Sequence, residues 1–307
     1  MKRHHYIIIF LAGLLLCACD NATETTGEQR VALRVTSSIR RPIVVTRAAD
    51  SHWDENDQIG LFATVYNTQT IFKDDAGTTC SNLCYTFDDV EYETYGTDYK
   101  IFSGKEIFMP NAPNAIDIYA YYPYKASTIP TGIDIDLTDQ TKIVDLMTAE
   151  KPHLNKSNSD TRLLFEHKLV KLRFNLKAGS ELLSDEISNA FANDHLSVKI
   201  DKQYKKGTYS LYTKIISTTG DPDDMEAMLS TTTEGYEKTY DLTVLPYDGG
   251  EDRTVSIIIG TTDHPTNTFT FTIDSDTKFE SGHMYVYNVT VNATSIRVDK
   301  DEFAEQW

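Results

Sequence analysis

The feature that most limits what this chain can fold into is a repeated period-two alternation of apolar and polar side chains. From Val170 to Leu176 the apolar residues Val170, Leu172, Phe174 and Leu176 are separated by Lys171, Arg173 and Asn175. Thr268-Phe269-Thr270-Phe271-Thr272-Ile273 and Tyr285-Val286-Tyr287-Asn288-Val289-Thr290-Val291 repeat the pattern, and Ala115-Ile116-Asp117-Ile118-Tyr119-Ala120-Tyr121-Tyr122 shows it earlier in the chain. Period two with β-branched and aromatic residues predicts half-buried strands. Shorter segments at 31–36, 196–200 and 209–212 read the same way. The run Thr254-Val255-Ser256-Ile257-Ile258-Ile259-Gly260 is more continuously apolar and predicts a strand buried on both faces. Helix-period segments are scarce. The one candidate is Ser184-Asp185-Glu186, a cap leading into Ile187, Ala190 and Phe191 over a turn or two. The fold class is all-β, with a short helical insertion and strands spaced as in sandwiches.

The first residues read as an export signal. A basic start (Lys2, Arg3, His4, His5), an apolar run to Leu16 and a polar stretch from Asp20 frame Leu16-Cys17-Ala18-Cys19. This resembles a bacterial lipobox, which implies that residues 1–18 are removed and that Cys19 is acylated as the mature N-terminus. The apolar run is short of the about 20 residues that span a bilayer. Several acyl chains on Cys19 anchor a chain firmly where one alone does not. Residues 19–30 are polar and lack periodicity, as a tether does.

Formal charge is −17, from 29 basic and 46 acidic residues. Without Lys2 and Arg3 the balance is 27 against 46, or −19. Nucleic acid demands a basic surface and is excluded as a partner. A peripheral grip on anionic lipid is also disfavoured, which leaves outer-membrane attachment to the lipid on Cys19. Cys80 and Cys84 flank a polar stretch. Outside the cytoplasm they form a short-loop disulfide or stay as two free thiols. A metal site there lacks two further ligands at a recognisable spacing.

The length allows two domains. The polar segment 151–160, with one Pro, interrupts two apolar patterns and marks the expected boundary, giving an N-terminal domain over 31–155 and a C-terminal domain over 156–307. Catalytic signatures are poor: the sequence holds no HExxH, no GxSxG and no phosphate-binding glycine loop, so no enzyme and no cofactor is expected. Asp134 and Asp136 project to one side of an extended segment, and Asp221, Asp223, Asp224 and Glu226 cluster. Either can hold calcium, but solvated loops are the default reading. Trp53 and the run Tyr119, Tyr121, Tyr122 and Tyr124 offer aromatic faces for a glycan, although core packing at a strand end explains them better. His167, between Phe165 and Leu169, reads as a hydrogen-bonded structural histidine.

Four stretches together carry a resemblance. They are Thr46-Arg47-Ala48 with Trp53-Asp54-Glu55-Asn56-Asp57-Gln58-Ile59-Gly60-Leu61-Phe62; Ile118-Tyr119-Ala120-Tyr121-Tyr122-Pro123-Tyr124; Asp145-Leu146-Met147 with Leu164-Phe165-Glu166-His167-Lys168-Leu169-Val170-Lys171-Leu172; and Phe279-Glu280-Ser281-Gly282-His283-Met284-Tyr285-Val286-Tyr287 with Trp307. In this order behind a lipobox they resemble the fimbrillin-like lipoproteins, pilus subunits of anaerobic Gram-negative bacteria. The resemblance implies two transthyretin-like β-sandwich domains and a place on the cell surface or in a fimbrium. It further implies cleavage after an arginine, loss of the first strand, and filling of the gap by a strand from another subunit. Arg47 is the favoured site because Ala48 and Ala49 follow it; Arg40 and Arg41 are the fallback sites. Residues 31–36 are then the strand that leaves, and Ser295-Ile296-Arg297-Val298 is a candidate donor. The competing reading is a monomeric surface lipoprotein that binds a glycan or host protein and keeps its first strand.

Overall fold

The computed structural model describes residues 30–40, 52–87, 100–142, 145–180, 184–261, 264–300 and 305–306. Cys19, Arg41 and Arg47 lie outside them. The N-terminal half supplies β1 (Val35–Ile39), β2 (Gln58–Val65), β3 (Leu83–Phe87), β4 (Lys100–Gly104), β5 (Ile116–Tyr122), β6 (Ile133–Asp136), β7 (Met147–Leu154) and β8 (Arg162–His167). After β9 (Val170–Ala178) comes the one described α-helix, α1 (Asp185–Ala192). Then follow β10 (Leu196–Gln203), β11 (Lys206–Tyr209), β12 (Ile216–Thr219), β13 (Asp223–Glu226), β14 (Met228–Ser230) and β15 (Lys238–Val244). The last strands are β16 (Arg253–Thr261), β17 (His264–Ile273), β18 (His283–Val291), β19 (Ile296–Lys300) and β20 (Glu305–Gln306). The described residues are all-β apart from α1.

Seven strands pair in the order β1-β4-β3-β2-β5-β7-β8, and β8 closes back onto β1. The closing contact is parallel, whereas β1 meets β4 antiparallel. Closure removes exposed sheet edges, the usual liability of β-structure. The C-terminal half builds two larger sheets, β13-β10-β16-β17 and β14-β15-β9-β18-β19, with β20 also on β18. Alternate side chains of both sheets, among them Val198, Ile257, Phe174, Leu176 and Val289, fill one shared core. The ring has its own core, with Leu61, Phe102, Ile107, Met109, Ile118 and Phe165.

The sequence-derived boundary at 155/156 is displaced. Residues 151–154 complete β7, and Asn155 and Asn158 exchange backbone hydrogen bonds of 3.0 Å each in the turn to β8. Both β7 and β8 belong to the ring, and Leu163 and Phe165 fill its core. The change of core comes after His167, because Leu169 and Val170 enter the other one. The polar segment 151–160 is the end of β7 and the turn that leads into β8. A single cut fails elsewhere too: β6, from the N-terminal half, pairs with β11, and Ile133, Ile135 and Leu137 pack into the C-terminal core.

β2 and β5 form a wall between the two cores. Period two sends Ile59, Leu61, Ile118 and Ala120 into the ring, and Phe62 and Tyr121 into the C-terminal core. Ser184 caps α1 as expected, its Oγ accepting a 3.3 Å bond from the Ile187 amide, and Ile187, Ala190 and Phe191 are the buried face. β16 departs from expectation. Val255, Ile257 and Ile259 are buried, but Ile258 is only half-buried, because one face of its sheet is open to solvent.

Candidate functional site

The first described strand is an internal part of the ring. Thr36, Ser37, Ser38 and Ile39 stand opposite Arg162, Leu163, Leu164 and Phe165 of β8. On the other side Val35, Thr36 and Ser37 stand opposite Phe102, Ile101 and Lys100 of β4. The ladder runs beyond both ends of β1. The Leu33 amide donates to Ile107 O at 2.7 Å, the Met109 amide to Val31 O at 2.8 Å, and the Arg40 amide to Phe165 O at 2.8 Å. The strand expected at 31–36 is thus shifted, with 31–33 pairing to 107–109 and the regular strand at 35–39.

Leu33, Val35, Ser37 and Ile39 share the inward period. The three apolar members are buried in the ring core, each worth about 1.5–3 kcal/mol on full burial. Ser37 is also fully buried, and its Oγ has no hydrogen-bond partner among the described residues. Just past the strand, Arg40 Nη2 pairs with Glu166 Oε1 at 2.8 Å. Glu166 Oε2 accepts from Lys168 Nζ at 3.1 Å. Burial alone raises the Glu166 carboxyl, but the Lys168 hydrogen bond and the charges of Lys168, Arg40 and Lys214 outweigh it and hold the group below its ordinary value. Nothing in the sequence marked Glu166, since its partner is far away along the chain.

The described parts of the stretches that carry the resemblance converge in space. Trp53 is buried, with its ring edge-on to Phe102, Tyr122 and Phe165 at centroid distances of 5.0, 5.3 and 5.1 Å. It is a core residue and no sugar platform. Tyr122 donates its hydroxyl to Asp57 Oδ1 at 3.0 Å, and Asp57 Oδ2 accepts from the Asp54 amide at 2.9 Å. Tyr121 is fully buried, donating to Asn82 Oδ1 at 2.7 Å. Tyr119 is half-buried against Tyr212, and Tyr124 packs on the C-terminal core. His167 is buried, with Nδ1 2.8 Å from Asp145 Oδ2. Gly282 (φ +75°) brings its amide to Leu169 O at 2.8 Å, and a β-carbon there would stand 2.9 Å from His167 O. The stretches therefore weld ring to sheets.

Cys80 and Cys84 are free thiols, so the disulfide alternative is not formed. Cys80 lies in the ring core, while Cys84 sits half-buried on β3 opposite Gly60. Asp134 and Asp136 share the exposed side of β6, and Asp136 is drawn to Lys206 at 3.2 Å. In the other acidic cluster Asp223 pairs with Lys205 at 2.6 Å and Glu226 with Lys199 at 3.6 Å. Among the described residues no three His, Cys, Asp or Glu side chains converge as metal ligands. A cleft of about 250 Å³ lies between β7–β8 and the turn after β11, lined by Tyr119, Glu150, Glu166, Lys168, Tyr209 and Lys214. Its acids are already engaged, Glu150 with Lys214 at 2.6 Å and Glu166 as above. Among the described residues no helix is long and apolar enough to cross a membrane. The candidate donor Ser295-Ile296-Arg297-Val298 leads into and overlaps β19, which pairs antiparallel with β18 of its own chain.

Comparison with known proteins places this arrangement. A curated relative from Bacteroides uniformis, named "Putative fimbrium subunit Fim1C", is 27% identical over 100% of this chain and 96% of its own. Crystal structures, each described as "a putative cell adhesion protein", share the fold. The one from Bacteroides uniformis has a TM-score of 0.64 at 22% identity, covering 88% of this chain and 96% of that one. The one from Bacteroides ovatus has a TM-score of 0.64 at 20% identity, covering 91% and 99%. The sequence model of the fimbrillin-like family matches residues 46–303, and the chain belongs to that family.

Proposed function

We propose that this protein is a pilus subunit with a role in cell adhesion, and that it assembles by exchanging its own first strand for one from another subunit. Family membership and the fimbrium-subunit relative support the pilus role. The exchange reading is carried by one observation: β1 (Val35–Ile39) is an internal strand between β4 and β8, with residues 31–33 continuing the pairing onto 107–109. Leaving that seat empty uncovers three apolar pockets, roughly 5–9 kcal/mol of burial, and two rows of unpaired backbone groups. That is comparable to the whole net stability of a typical domain. A vacated seat must be refilled, and β-strand addition refills it with the same backbone bonds.

In this reading the chain is exported as an outer-membrane lipoprotein through Cys19 and displayed at the cell surface or in the fimbrium. Cleavage after Arg47 frees residues 31–40. Arg40 is a poor site by comparison, because its amide is in the ladder and its side chain on Glu166. The two cores are the interiors of two transthyretin-like domains, with the ring as the N-terminal one.

The test is the Arg40→Ala, Arg41→Ala, Arg47→Ala variant expressed in the native host. It should accumulate uncut and be absent from detergent-resistant high-mass assemblies. Assemblies that still retain residues 31–36 would remove proteolytic exchange and favour the standing monomer. Fatty-acid labelling should mark the wild type and not Cys19→Ala; equal labelling rules out the lipid anchor.

A further inference from the structure

The strand that fills the β4–β8 seat is weakly specified by its apolar pattern. Within β1 itself only Val35 and Ile39 are apolar and inward-facing, and Ser37 between them is small and polar. A slip of one residue turns the apolar side chains outward and is strongly opposed. A slip of two keeps every residue on its own face and moves the strand by about 6.8 Å. The small, buried site of Ser37 opposes it, since it would have to admit Val35 or Ile39, but that site does not sense the residue after Ile39. The Arg40–Glu166 pair does, because the Arg40 amide is locked on Phe165 O and the guanidinium reaches Glu166 Oε1 only in the observed register.

We infer that Glu166 reads the occupant of this seat. It takes a strand bearing a basic residue directly after its last buried apolar residue, and it opposes an acidic one. This rests on the strand-exchange reading: once residues 31–40 leave, Glu166 loses Arg40 and keeps Lys168. The partner is thus a subunit whose donor strand presents an inward apolar alternation followed by Arg or Lys. The pair is about half exposed, so its effect on affinity is modest, a few-fold. Its effect on register and on rejection of a like charge is larger.

The experiment uses the full chain with a site-specific protease sequence inserted between Ala48 and Ala49. After cutting and inactivation of the protease, isotope-labelled peptides spanning residues 30–41 are added, and their entry and loss are followed by native mass spectrometry. Three peptides are compared: the native sequence, Arg40→Ala and Arg40→Glu. On the wild-type seat the native peptide should be retained longest, the Ala peptide should leave a few-fold faster, and the Glu peptide fastest. On a Glu166→Lys seat the order of native and Glu peptides should reverse, and on Glu166→Gln the three should converge. Equal retention on the wild-type seat, or an unchanged order on Glu166→Lys, overturns the role of Glu166 while leaving strand exchange standing. Entry of none of the peptides overturns strand exchange itself, and the role of Glu166 with it.

Discussion

The ring of Tyr121 occupies the place where a β-carbon on Gly60 would stand. The two residues are direct partners across β2 and β5, and a β-carbon built on Gly60 would lie 2.0 Å from Tyr121 Cε1. Gly60 is needed here for close approach. The aromatic ring in turn covers the bare glycine backbone and carries its hydroxyl to Asn82.

Gly60→Ala should therefore destabilise the protein by about 1–3 kcal/mol or more, since the ring is fully buried and has little room to move. The check is urea denaturation of the single variants and of Gly60→Ala with Tyr121→Ala. In the Tyr121→Ala background the glycine substitution should cost close to nothing, because the clashing ring is gone. Equal cost in both backgrounds would mean that something other than this contact fixes the glycine.

Ser37 presents the opposite case, a polar atom buried without a partner among the described residues. Removing an unsatisfied hydroxyl recovers its desolvation penalty, about 1–3 kcal/mol less the loss of a small volume. Ser37→Ala should raise the urea midpoint and slow departure of the first strand after cleavage. A lowered midpoint would show that the hydroxyl is satisfied in solution.

Much of this architecture was legible in the sequence, and what was not has a common cause. The alternation from Val170 to Leu176 became β9, that from Tyr285 to Val291 became β18, and Ser184 capped α1. These signals are local, one residue against its near neighbours. Long-range pairing was illegible: nothing near Val35 announces a parallel partner in β8, and nothing near Ile133 announces β11. Hairpin loop and interdomain linker share the polar composition of 151–160, and only pairing separates them. The strand at 209–212 ends instead at Tyr209, because residues 210–214 turn back through Lys214 N to Ser210 O at 2.8 Å. Of the site, Arg40 was visible as a cleavable residue, but its partner Glu166 was not.

The two thiols should differ in reactivity. Burial, reinforced by the charge of Asp74, pushes the Cys80 thiol up to about 12. Burial also raises Cys84, more exposed, despite a hydrogen bond with Thr86. Only thiolate reacts. At pH 8 an alkylating reagent should label Cys84 slowly and Cys80 only after denaturation, as read by peptide mass mapping. Rapid native labelling of Cys80 would mean that the ring core opens there.

The acid limb of stability should carry the signature of Glu166. Its carboxyl is held below the ordinary 4.5 in the fold, so the folded state binds its proton less readily than the unfolded chain does. The contribution is therefore fully present above about pH 4.5 and is lost as pH falls through the lower folded value. The groups facing it are Arg40, Lys168 and Lys214, with Glu150 engaged on Lys214. At near-half exposure the effect is below about 1 kcal/mol. Urea midpoints of wild type and Glu166→Gln should differ by a constant amount from pH 5 to 8, and the difference should shrink as pH falls below about 4.5. A difference that does not shrink with acidification would assign the effect of the substitution to packing rather than to charge.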